Sequence, residues 1–299
     1  MDRIAPSPAE SLLRKLAVAA VGRTGSKLAD LYERIGRELP DTRLVFQNHG
    51  YAEAGETFDW LRPEDAGHRY PLNLARYLVA GLDLDDRAIL DVGCGRGGTC
   101  SFLVRYFQPR QVVGLDYAGS CIALCRRAHD HPRLSFVRGD AALLPLADES
   151  FDVVTNIESS HCYPAPWMFF AGVWRVLKPG GRFCYTDVFG DLAEPARMRR
   201  RLESSGLVIE SEDDITDRVA RGLAAGYADF ERLLGDMTSE QRGNADLVAS
   251  MLRSIKRIPD EAYASGKAVY VAWRARKPDP MPGSSGRDAD GRDGAGDTP

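Results

Sequence analysis

The stretch Ala88-Ile89-Leu90-Asp91-Val92-Gly93-Cys94-Gly95-Arg96-Gly97-Gly98 decides how the chain is organised. A short apolar run ends in a cluster of glycines, and a helical pattern follows over 99–107. This is a strand, a tight turn and the start of a helix. Glycine in such a turn supplies backbone angles that other residues resist. It also lets the main chain come close to a ligand, which then meets unpaired N–H groups and the positive end of a helix dipole. A polar metabolite with several functional groups is the expected guest. Alone, the spacing of Gly93, Gly95 and Gly98 is ambiguous. It satisfies G-x-G-x-x-G, and Asp116 stands about where an acid grips a ribose. A nicotinamide-dependent oxidoreductase and a methyl-transferring enzyme both fit this far.

Working outward, apolar runs over 111–116, 134–138, 151–157 and 182–188 read as further buried strands. Helical patterns fall at 71–82, 120–131 and 167–177, the last halted by Lys178-Pro179-Gly180-Gly181. Strands alternating with helices predict parallel βαβ units with helices on both faces of one sheet. Ligands in such sheets gather at the carboxyl ends of the strands. Asp91, Asp116, Asp140, His161 and Asp187 all fall at or just after such ends. A sixth strand is expected over 204–210 and a final one over 268–274, at or near an edge. Helical patterns over 215–234 and 239–258 lie between them and suggest a lid over an acceptor site. Upstream, amphipathic patterns over 12–21 and 26–39 predict a helical layer, and Phe46–Tyr51 mixes aromatic and polar groups as a loop closing on a ligand would. The chain thus divides into an N-terminal layer and loop (1–70), a ligand-binding core (71–212), a lid with the final strand (213–277) and a disordered tail (278–299) too poor in apolar side chains to pack.

The 299 residues carry a net charge of -4, which gives no global support to nucleic-acid binding. Six cysteines form no C-x-x-C pair, consistent with reduced thiols in a cytoplasmic protein. No transmembrane run is evident. His129 and His131 lack a third ligand, so no metal is expected.

With these motifs in order, the chain resembles the class I S-adenosylmethionine-dependent methyltransferases. The matching stretches are Leu90–Gly95, Gly114-Leu115-Asp116, Gly139-Asp140-Ala141, Phe151–Val154 and Leu177–Gly181. The loop Glu158-Ser159-Ser160-His161-Cys162-Tyr163-Pro164 is similar to that of small-molecule methyltransferases, notably the phthiotriol/phenolphthiodiolone dimycocerosate and indolocarbazole-sugar groups. The resemblance implies an α/β, Rossmann-like sheet and S-adenosylmethionine as cofactor. It also implies transfer to a hydroxyl of a polyketide, sugar or glycolipid. Self-association into a homodimer is left open.

The resemblance further implies roles. Gly93, Cys94 and Gly95 approach the methionine part of the cofactor and Asp91 receives its amino group, unless Asp91 only caps the turn. Asp116 accepts the ribose hydroxyls, Tyr117 lies on the adenine, and Asp140 and Ala141 bind the adenine edge. Ile157 passes beneath the sulfonium, and Tyr51 belongs to the closing loop. His161 is the general base, held by Asp187, with packing against the cofactor as its plain alternative. A C- or N-methyltransferase needs that base less. A nicotinamide-dependent oxidoreductase is the further alternative, although no Tyr-x-x-x-Lys pair follows the fourth strand.

Overall fold

Seven strands pair into one mixed sheet. The structure is a computed structural model that describes residues 30, 32–34, 36–37, 42–236 and 262–280. The strands are β1 (Ala88–Val92), β2 (Gln111–Asp116), β3 (Leu134–Arg138), β4 (Phe151–Ile157), β5 (Leu177–Phe189), β6 (Val208–Asp214) and β7 (Val269–Arg276). Their order across the sheet is β3-β2-β1-β4-β5-β7-β6. Pairs from β3 to β5 are parallel, whereas β7 runs antiparallel to both β5 and β6. The helices are α1 (Arg69–Val79), α2 (Gly98–Tyr106), α3 (Gly119–Ala128), α4 (Pro166–Val176), α5 (Glu194–Ser204) and α6 (Thr216–Gly235).

Side chains alternate across a strand, and each inner strand therefore feeds two cores. Ile89, Val112, Val153 and Tyr270 face one side, where α1, α2 and α6 contribute Leu72, Phe102 and Val219. Leu90, Val113, Val154 and Trp273 face the other, where α4 and α5 contribute Phe170 and Leu202. All five residues of β1 are buried. A strand covered on both faces reads as a continuous apolar run, which is why this segment stands out in the sequence.

The final strand falls near an edge, as expected: β7 lies between β5 and the edge strand β6. Two expectations need correction. The sixth strand begins four residues later than expected, because α5 runs through Ser204 and Gly206 turns the chain at φ 92°. It is the true edge, and Glu210, Glu212, Asp213 and Asp214 charge it, a device that discourages further strand pairing. The halt at Lys178–Gly181 does end α4 at Val176, but β5 already starts at Leu177. The four halting residues form a bulge, since Phe151 pairs with Leu177 and Val153 next pairs with Arg182.

The N-terminal pattern over 26–39 is helical wherever it is described. It docks on the first turn of α3, where Ser120 Oγ donates to Glu33 O at 2.8 Å. Between β6 and β7, α6 packs along α1 through a paired Arg69–Asp229 contact of 2.8 and 2.7 Å. At Gly222 a side chain would meet the backbone of Gly50 and Tyr51. The patterns at 12–21 and 239–258 lie outside the described residues, as does the tail beyond Pro280.

Candidate active site

A cavity of about 330 Å³ opens over the carboxyl ends of β1, β2 and β4. Its floor is the glycine turn after β1. Gly93, Gly95 and Gly97 all have positive φ, at 71°, 53° and 81°, angles at which an L side chain is strained. Space is equally restrictive. A Cβ on Gly93 would collide with Ser159 Oγ, and one on Gly95 would lie 2.8 Å from Gln47 Oε1.

Three carboxylates border this floor. Asp116, ending β2, accepts from Gly95 N and Ala118 N, both at 2.8 Å. It therefore ties the glycine turn to the next loop. Burial pushes its pKa up to about 6, despite the opposing main-chain donors. Asp91 is buried beneath the turn and accepts from Thr155 Oγ1 at 2.7 Å and Cys100 Sγ at 3.4 Å. Burial raises it too, to about 6. Asp140 caps the short 3-10 turn Ala141–Leu143 by accepting from Ala142 N at 2.8 Å. Asp91, Gly93, Cys94, Gly95, Asp116, Tyr117, Asp140, Ala141 and Ile157 all line the cavity.

Beside it, the loop after β4 delivers His161 to the end of β5. His161 Nδ1 lies 2.6 Å from Asp187 Oδ1, and His161 N donates to Asp187 Oδ2 at 2.9 Å. Ser160 Oγ donates to Oδ2 at 2.6 Å and Val188 N to Oδ1 at 2.8 Å. Tyr185 OH, 2.7 Å from Ser160 Oγ, extends the network. Asp187 is fully buried with four donors aimed at it. Burial works to raise its pKa, but the His161 charge and these donors outweigh it and hold the carboxyl below its usual range. For His161 burial works downward, and the Asp187 charge overrides it, so the imidazole binds its proton well above its ordinary value.

Three expected residues lie outside the cavity lining. His161 and Asp187 sit beside it, and Tyr51 is turned away from it. The Tyr51 ring stacks on Tyr77 at 4.6 Å, and its hydroxyl donates to Glu53. Earlier residues of the same loop, Val45, Phe46, Gln47 and Asn48, line the cavity instead. Tyr32 and Glu158, not singled out from sequence, also line it. Tyr32 was legible only as part of an apolar helix face. Glu158 could have been found by its place at the end of a buried strand. Among the described residues no group of His, Cys, Asp and Glu gathers in a metal-binding arrangement.

A sheet of this order, with a glycine-floored cavity and acids at consecutive strand ends, is that of a nucleotide-cofactor transferase fold. Residues 90–185 match a family model described as a methyltransferase domain. The fatty-acid O-methyltransferase of Mycolicibacterium smegmatis is 40% identical over 193 residues, covering 64% of this chain and 70% of the relative. The phthiotriol/phenolphthiotriol dimycocerosates methyltransferase 1 of Mycobacterium ulcerans is 37% identical over 217 residues, covering 73% and 79%. The fold is shared with the (4+2)-cyclase SpnF, at TM-score 0.65 and 23% identity over 86% of this chain and 97% of that one. It is also shared with geranyl diphosphate C-methyltransferase of Streptomyces coelicolor A3(2), at 0.57 and 19% identity over 82% and 98%.

The chain belongs to the class I S-adenosylmethionine-dependent methyltransferases. The nicotinamide alternative falls with that assignment. The residues present fit the cofactor: a main-chain cradle that any Cβ would fill, and carboxylates spaced for polar groups at both ends.

Proposed function

We propose that this enzyme methylates a hydroxyl on a lipid-type small molecule of polyketide, sugar or glycolipid character, with His161 as general base. The buried His161–Asp187 pair carries this reading. When bound, S-adenosylmethionine supplies a methyl group already activated on a sulfonium. The chain's own task is then to align the acceptor and to take its proton. Asp187, saturated by its four donors, keeps the Nδ1 proton in place and leaves Nε2 as the accepting atom. Asp91 would face the amino group of the cofactor, Asp116 its ribose, and Asp140 and Ala141 its base. One observation supports an apolar acceptor: the relatives named above include enzymes named for fatty acids and dimycocerosates.

The raised proton affinity of His161 favours a second reading. A resting imidazolium could hold an acceptor carboxylate, which is already a nucleophile and needs no base. The two differ in sign. With a hydroxyl acceptor, His161 must lose its proton first, so kcat/KM rises with pH through its titration. With a carboxylate held by the imidazolium, it falls. Transfer of labelled methyl to matched lipid alcohols and free fatty acids, followed across pH, separates them. His161→Ala should cost about 10²–10⁴-fold with the alcohol. Near-wild-type turnover in that variant would end the general-base reading and favour methylation at carbon or nitrogen.

A further inference from the structure

Glu158 follows β4 directly and takes φ 49°, a left-handed angle rarely adopted by a residue with a side chain. Its amide donates to Thr186 O at 3.0 Å, which anchors it to the residue before Asp187. Its side chain is buried and directed at the closing segment. Glu158 Oε1 accepts from His49 N at 2.8 Å and from Tyr270 OH on β7 at 2.7 Å. Oε2 lies 3.6 Å from His49 Nε2, and His49 Nδ1 lies 2.9 Å from Tyr263 OH. One carboxylate thus gathers the end of β4, the segment carrying Phe46, Gln47 and Asn48, and β7, and through His49 it reaches the helical residue Tyr263. Strained angles of this kind persist where surroundings over-determine them, and they cluster at functional sites.

We propose that Glu158 is a positioning residue of the methyl-transfer site: it holds the wall formed by Phe46, Gln47 and Asn48 against the cavity and places an acidic side chain behind the His161–Asp187 pair. The second half rests on the general-base reading above. The charged and titratable groups facing Glu158 are His49 from the closing segment, Tyr263 and Tyr270 from the C-terminal elements, Asp187 and His161 from the catalytic end, and Tyr32 from the N-terminal helix. Burial raises the Glu158 carboxyl to about 7; the Asp187 charge adds to this, while the His49 amide, the Tyr270 hydroxyl and the His161 charge oppose it. The His161 charge thus acts on the Glu158 carboxyl.

Two variants separate the two roles. Glu158→Gln keeps an oxygen acceptor for His49 N and Tyr270 OH but removes the charge. Glu158→Ala removes both. The first should lower the His161 midpoint by about one pH unit, the coupling expected of neighbouring charges in a partly buried site. This is read by NMR titration of the His161 ring in the protein without ligand, and so without assuming any catalytic role. The same variant should bind S-adenosylmethionine within about threefold of wild type, whereas Glu158→Ala should bind it at least tenfold more weakly. Tyr270→Phe, which leaves the charge in place, should leave the His161 midpoint unmoved. An unshifted midpoint in Glu158→Gln overturns the electrostatic role, and unchanged cofactor affinity in Glu158→Ala overturns the wall role. A shifted midpoint combined with full activity of His161→Ala would leave this proposal standing and remove the base assignment alone.

Discussion

Asp91 and Asp116 are carboxyls held near the middle of their titration at mildly acid pH, because both are buried and little opposes that burial but neutral hydrogen-bond donors. Their raised pKa keeps a larger protonated fraction at mildly acid pH than an ordinary carboxyl has. A cationic ligand reverses the preference, because an opposite charge stabilises the ionised form. Binding of S-adenosylmethionine should therefore release protons near pH 6 and tighten as pH rises from about 5 to about 7, since ionised carboxylates are then already present. Calorimetry in buffers of different ionisation enthalpy measures the released protons directly. Asp116→Ala should weaken binding roughly 10–100-fold, the equivalent of about 1.5–3 kcal/mol for a charged hydrogen bond. It should also lower stability, because Gly95 N and Ala118 N lose their acceptor. Proton release unchanged by that variant would place the titrating group elsewhere. At this scale the sequence was informative: Asp91, Asp116, Asp140 and the glycine turn are local signals, and they do line the cavity, with Asp187 beside it. Glu158 could be placed at a strand end, but its partners could not be read, because His49 and Tyr270 are 109 and 112 residues away along the chain.

Among the elements, β5 and β7 form the most consequential pair. Their shared face carries an aromatic stack in which Phe183 lies on Tyr185 at 5.6 Å and Tyr185 on Trp273 at 5.1 Å. Phe189 meets the indole edge-on at 5.7 Å. Trp273 is fully buried. Truncation to alanine would open a large void beneath α4 and α5 and should cost about 3–5 kcal/mol, seen as a lower midpoint in urea unfolding. A loss below about 1 kcal/mol would show that the layer can collapse around the gap. Periodicity identified β7 and its place near an edge but not its partners, for a physical reason. Alternation says that a strand is half or fully buried and is silent on its neighbours. The edge strand was placed four residues too early because Glu210-Ser211-Glu212-Asp213-Asp214 has no apolar alternation; pairing with β7 makes it a strand. The inner strands needed no such help, because burial on both faces writes a continuous apolar run into the sequence.

For the molecule as a whole, the glycine-floored cavity and the His161–Asp187 pair meet at the β4 end, where Ile157 and Glu158 line the cavity just before the Ser160–Cys162 turn. Ligand binding to the folded form alone stabilises by mass action. S-adenosylmethionine at one hundred times its dissociation constant should contribute about 2.7 kcal/mol and raise the melting temperature by several degrees. NAD at the same concentration should leave it unchanged, and a shift with NAD alone would contradict the family assignment. The shared fold with SpnF makes methyl transfer itself the decisive measurement, because one architecture hosts different reactions. Far less of this scale was legible in advance: α6, expected as part of a lid, contributes no residue to the large cavity and instead backs Gly50 and Tyr51.

The position of β7 has a kinetic consequence. As a nascent chain leaves the ribosome, β1 to β5 can zip together in parallel, but β6 has nothing to pair with until the segment Val269–Arg276 has been synthesised and slipped into the gap. That late insertion also brings Tyr270 to Glu158. The glycine-floored cavity and the His161–Asp187 pair can therefore assemble before the Tyr270–Glu158 contact, with the β5 border unpaired in between.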